Sequence, residues 1–115
     1  MLGAATRKLN RDTGERRALL RDLVSALIRH GRVETTVARA KETKKVADRL
    51  ISLALRGDLH ARRQARRVLT DPRVLRRLFA EVAPKYQPGR GGYTRIVRTR
   101  VRRGDAAELA VVELI

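Results

Sequence analysis

Hydrophobic residues return every three or four positions along the first third of the chain. Leu19, Leu20, Leu23, Val24, Leu27 and Ile28 cover about half of a helical circumference, the stripe of a helix that faces a core. Asp12 and Glu15 stand ahead of it with the spacing of a capping box, and Gly31 follows as a stop. The pattern therefore predicts a helix over 13–30. The period then changes. Arg32 to Thr36 alternates and is rich in β-branched residues, which reads as a short strand. Thr35 or Thr36 can cap a long second helix with Ala40, Val46, Ala47, Leu50, Ile51 and Ala54 on its apolar face and Gly57 at its end. Asp58 caps a third helix at once, with Ala61, Ala65 and Val68 as a narrow apolar stripe. Asp71-Pro72 opens a fourth, because proline at the first helical position lacks only a donor that would go unused. Val74, Leu75, Leu78, Phe79 and Val82 share its inner face, and Ala83-Pro84 closes it.

Pro84 to Gly92 is a loop by its prolines and glycines. Two β-rich runs, 93–101 and 107–115, are joined by Arg102-Arg103-Gly104-Asp105-Ala106, a hairpin with a turn of about five residues. The order α-β-α-α-α-β-β predicts a two-layer α+β domain, with a small three-stranded sheet packed against amphipathic helices. The last strand, Glu108 to Ile115, is apolar apart from two acids. It is expected inside the sheet, facing the core and turned away from the basic surface. No repeat or long linker divides the 115 residues. The chain reads as a basic arm, 1–12, followed by one domain, 13–115.

Charge changes the picture most. Lys and Arg number 28 against 12 acids, a net +16. Such a chain is drawn to polyanions. Arginine supplies 23 of the 28, and its planar fork matches phosphate and stacks on bases where lysine offers a point charge. A membrane surface is also anionic. Interfacial helices, however, carry aromatic anchors, and this sequence has no Trp, one Phe and two Tyr. Nucleic acid is the better partner, and no membrane partner is expected. No apolar run approaches the roughly 20 residues of a bilayer span. Residues 1–8 lack the apolar core of a secretory signal, and Asp12 and Glu15 come too early for a transit peptide. The absence of cysteine excludes disulfides and thiolate metal sites, and fits a cytoplasmic protein.

The basic residues form three candidate contact regions. In the third helix Arg62, Arg63, Arg66 and Arg67 span roughly 140° of the wheel opposite Ala61, Ala65 and Val68. No acid falls between Leu59 and Leu69, so this face invites phosphate. At the start of the first helix, Arg16, Arg17 and Arg21 follow Arg7, Lys8, Asn10 and Arg11. Free N–H groups and guanidinium forks converge there into a phosphate cradle. The third region is Arg90, Tyr93, Thr94 and Arg95, continuing to Arg102 and Arg103. Tyr93 either stacks on an exposed base or packs beneath the hairpin loop. The glycines beside it are no nucleotide-binding loop, since no Lys-Ser or Lys-Thr follows.

Nothing in the sequence asks for catalysis. His30 and His60 belong to no metal pattern, Ser25 and Ser52 lack a nucleophile motif, and several of the acids serve as helix caps. No cofactor, metal or small-molecule substrate is expected.

The blocks Arg7-Lys8-Leu9-Asn10-Arg11, Arg17-Ala18-Leu19-Leu20-Arg21, Glu34-Thr35-Thr36, Ala40-Lys41-Glu42, Arg56-Gly57-Asp58-Leu59-His60-Ala61-Arg62-Arg63, Ala83-Pro84-Lys85-Tyr86, Gly91-Gly92-Tyr93-Thr94-Arg95-Ile96 and Arg102-Arg103-Gly104-Asp105 occur in that order. Together they resemble the bacterial large-subunit ribosomal protein seventeen family, over about residues 7–115. The resemblance implies an α-β-α₃-β₂ fold and a structural role in the ribosome. It also implies large-subunit ribosomal RNA and neighbouring ribosomal proteins as partners. Met1 to Thr6 depart from the basic start common in that family. The competing reading is a DNA-binding regulator that uses helices two to four as a helix-turn-helix variant. Basic residues spread over nearly every element disfavour it.

Overall fold

A computed structural model describes residues 13–89 and 92–115. The arm, the Asp12 half of the capping box, Arg90 and Gly91 lie outside the described residues. Helix α1 runs Thr13–His30 and stops where Gly31 turns left-handed, φ 83°, its N–H on the Leu27 carbonyl at 2.8 Å. Strand β1, Arg32–Thr36, leads straight into α2, Val37–Arg56. Of the two threonines, Thr36 is the cap: its hydroxyl accepts from the Arg39 N–H. Gly57, φ 69°, ends α2 and leaves Asp58 free to cap α3, Leu59–Arg66, through the Ala61 N–H at 2.6 Å. Asp71 caps α4, Pro72–Arg77.

The fourth helix departs from expectation. A regular α-helix through Val82 does not form; the chain widens into a π turn, Leu78–Val82, and then tightens into a 3₁₀ turn, Ala83–Lys85. Pro84 supplies the physical reason, since its ring would strike the carbonyl four residues back in a continuous α-helix. Leu78 and Val82 stay buried through the change of pitch, while Phe79 is only partly covered.

Strands β2, Thr94–Val101, and β3, Glu108–Leu114, form the hairpin. The sheet is antiparallel in the order β1-β3-β2, so the apolar last strand is central, as its composition predicts. Register places Val33, Val112 and Ile96 in one row of the face that meets the helices, and Arg32, Glu113 and Arg95 in a row of the other. A bulge between Arg98 and Arg100 re-aims the end of β2.

Helix α2 is the centre of the molecule. Ala40 and Ala47 join Leu27, Ala110 and Val112 in a cluster against the sheet. Val46, Leu50 and Ile51 join Val24, Ile28, Ala65, Leu69 and Leu78 in the larger cluster among the helices. Its buried arc also takes in Glu42, Thr43 and Leu53, which widens it to about 180°. A helix packed on two sides needs that width.

Candidate nucleic-acid interface

The fold separates the arginines into two populations. On the sheet side four of them are matched by acids. Arg95 Nε donates to Glu113 at 2.6 Å, Arg98 to Glu108 at 3.3 Å, and Arg102 Nε to Asp105 at 3.1 Å. Arg100 reaches over the central strand to Glu34 at 3.1 Å, where the Thr99 hydroxyl also donates at 2.8 Å. Together Thr99 and Arg100 hold the Glu34 carboxyl below the usual carboxylate range, Thr99 contributing most. Exposed pairs of this kind add little stability. Their consequence is electrostatic, because each cancels a cation that would otherwise face outward.

The hairpin tip carries the sharpest shift. Arg102, and next the Ala107 N–H, lower the Asp105 pKa to about 2. Its contribution is complete above the ordinary value of 3.8 and is lost as pH falls through the folded value. A carboxyl-detected NMR titration of Asp105 is expected to show a midpoint near the lowered value, and Arg102→Gln to move it upward. A midpoint near 3.8 in the unaltered protein would mean that the contact does not form in solution.

The helical side is different. Arg62, Arg63 and Arg66 of α3 and Arg67 at its C-cap are all exposed, on the face opposite buried Ala61 and Ala65. None of the four makes an ion pair among the described residues. The two alanines let α3 lie close on α2, so the arginines stand on a rigid base. Arg62 is further ordered: its guanidinium carbon sits 4.8 Å from the centre of the Phe79 ring, an attraction of about 0.5–1 kcal/mol at an exposed site. Arg17 of α1 is exposed and Arg21 half-buried. Arg103 is exposed at the hairpin tip, also without an ion pair among the described residues. Arg7, Lys8, Asn10, Arg11 and Arg90 lie outside the described residues.

Three residues singled out in the sequence are buried in the fold: Arg16 is 6% exposed, Tyr93 2% and Thr94 2%. Of the two readings of Tyr93, the packed one holds. Its ring meets Tyr86 edge-on, centroids 5.2 Å apart. Tyr86 in turn donates its hydroxyl to the Ile115 carbonyl at 3.0 Å, and the Ile115 N–H donates to the Tyr93 carbonyl at 3.0 Å. The two tyrosines thus fasten the ends of the 86–93 loop to the C-terminal strand. Thr94 lies in a polar knot with α2: Asp48 accepts from the Tyr93 N–H and the Thr94 hydroxyl at 3.1 and 2.9 Å, and Lys44 donates to Asp48 and to the Thr94 carbonyl, both at 2.8 Å.

Sequence reasoning passed over one further basic row. Lys41, Lys45 and Arg49 recur at four-residue intervals on the exposed face of α2, without ion pairs among the described residues. That interval was the available signal. Among the described residues no group of His, Asp and Glu could hold a metal ion, and no helix is long and apolar enough to cross a membrane.

The fold is thus a three-stranded α+β domain in which most arginines of the hairpin are paired with acids while those of the α3 surface are exposed and make no ion pair among the described residues. Comparison with known proteins narrows the class. The family described as "Ribosomal protein L17" matches residues 19–115, and the chain belongs to that family. Among its relatives, the "Large ribosomal subunit protein bL17" of Clostridium acetobutylicum is 53% identical over 114 residues, covering 99% of this chain and 100% of the relative. The protein of the same description from Clostridioides difficile is 54% identical over 112 residues, covering 97% and 99%.

Proposed function

We propose that this protein is a structural constituent of the large ribosomal subunit, in the cytoplasm, and not an enzyme. It binds large-subunit ribosomal RNA, helps it fold and stays in the mature particle beside neighbouring ribosomal proteins. Family membership supports the ribosomal role. The observation that carries RNA contact is the α3 surface, where four exposed arginines stand with no acid beside them. Like charges at these spacings cost a few tenths of a kcal/mol per neighbouring pair in the isolated helix, and an RNA backbone relieves that cost. The basic residues of α1 and α2 extend the same reading to a wider surface. The start of α1 and the arm before it, with Arg7, Lys8 and Arg11, form the main anchor.

Co-sedimentation tests the reading. The protein is expected to travel with large ribosomal subunits through a gradient of moderate salt. Recovery with DNA, and none with ribosomal RNA, would favour a regulator instead. Deleting residues 1–11 is expected to leave the circular dichroism of the domain unchanged and to reduce incorporation into subunits. Full incorporation of the truncated chain would remove the arm from the interface.

A further inference from the structure

Where the end of α1 meets the start of α4, the surface opens into a cleft of about 320 Å³ lined by Arg29, His30, Asp71, Arg73, Val74 and Arg77. None of these belongs to the basic regions already assigned to RNA. From this cleft we infer a phosphate-binding site that takes a phosphodiester of the ribosomal RNA backbone between Arg29 and Arg73; this rests on the RNA-binding reading above.

The construction of the cleft argues for it. Arg77 is committed to the frame: its Nε donates to the Ile28 carbonyl at 2.9 Å, and a terminal nitrogen pairs with Glu81 at 2.9 Å. The first of these bonds satisfies one of the carbonyls that a helix end leaves open, and it fixes α4 against α1. Asp71 is likewise occupied, since its carboxylate caps α4 through the Arg73 N–H at 2.9 Å. The remaining cations are free to act outward. Arg29 and Arg73 are exposed and make no ion pair among the described residues, one on each wall. Two guanidinium forks on opposite walls suit the oxygens of one phosphate group. The C-terminal end of α1 carries partial negative charge that opposes an anion, and Arg29 and Arg77 are placed where they offset it. The volume stands at the lower end of ligand sites. It suits a phosphodiester with part of one nucleotide.

Equilibrium binding of the full chain to large-subunit ribosomal RNA, measured across a salt series, tests the site. Arg29→Gln with Arg73→Gln removes the contacts to one phosphate, so the slope of log K against log salt is expected to fall in magnitude by about 0.7–0.9. Affinity in 0.15 M salt should then fall on the order of four- to fivefold. Arg29→Lys with Arg73→Lys keeps the charge and loses the fork, so the slope is expected to persist while affinity drops severalfold. Inorganic phosphate at millimolar concentration is expected not to displace the RNA; displacement would assign the cleft to a free anion instead. If the unaltered protein binds RNA and the glutamine pair keeps its slope, the cleft is not a phosphate site. If the unaltered protein fails to bind, the RNA-binding reading itself falls.

Discussion

Replacing Arg62, Arg63 and Arg66 with glutamine is expected to weaken binding to large-subunit ribosomal RNA on the order of fiftyfold or more in 0.15 M salt. Each arginine that neutralises a phosphate adds about 0.7–0.9 to the salt slope, so removing three flattens it by about 2–2.7. Stability should move the other way. Arg62 and Arg66 are four residues apart and Arg63 and Arg66 three, so the substitutions relieve repulsion within α3 by a few tenths of a kcal/mol per pair. The absence of the Arg62 guanidinium from the Phe79 ring offsets part of that gain. An unchanged or slightly higher Tm together with collapsed RNA affinity is the signature of a surface shaped for a partner at the expense of the free fold. A purely solvated basic face would give neither a change in slope nor a loss of affinity. Phe79→Leu separates the two roles of Arg62: it frees the guanidinium without removing its charge, so the slope should persist while affinity falls modestly.

The sequence was most legible where local chemistry and tertiary packing agree. Helix α1 has the bounds its stripe predicts, and Asp58, Asp71 and Gly57 punctuate the chain as their side chains or their absence require. The α3 arginines face outward because Ala61 and Ala65 are the small apolar residues of that helix that can lie against α2. Legibility failed where distance in sequence hides the partner. Nothing near Tyr93 says that Tyr86 and the last residue of the chain will close over it. Nothing near Arg95, Arg98 or Arg100 says that acids on other strands will neutralise them. A basic run thus read as one surface is in fact divided, with its tyrosine and threonine inside the fold and most of its arginines matched. The π turn after Arg77 was missed for a different reason: proline at 84 shows that the helix must end, but not how the preceding turn gives way.

Asp48→Ala is expected to destabilise the fold by about 3 kcal/mol, which for a domain of this size lowers Tm by about 15 °C. Its carboxylate accepts from the Tyr93 N–H and the Thr94 hydroxyl and pairs with Lys44. Two of the three donors, on Tyr93 and Thr94, are buried where water cannot easily replace the carboxylate, while Lys44 is one-third exposed. Charge-assisted hydrogen bonds contribute about 1.5–3 kcal/mol each and are not additive within one network. Alanine leaves the Tyr93 N–H and the Thr94 hydroxyl without their acceptor, and a weakened hold of β2 on α2 should follow, since this knot joins the start of the hairpin to the central helix. Asp48→Asn keeps an oxygen for Tyr93 or Thr94 but removes the charge opposite Lys44, so about half the effect is expected. Urea unfolding with an unchanged m-value checks both figures. A cost below about 1 kcal/mol for alanine would mean that the Lys44 bond to the Thr94 carbonyl holds the strand alone. In either case the α3 arginines lie outside this knot, so RNA affinity measured well below Tm should stay close to that of the unaltered protein.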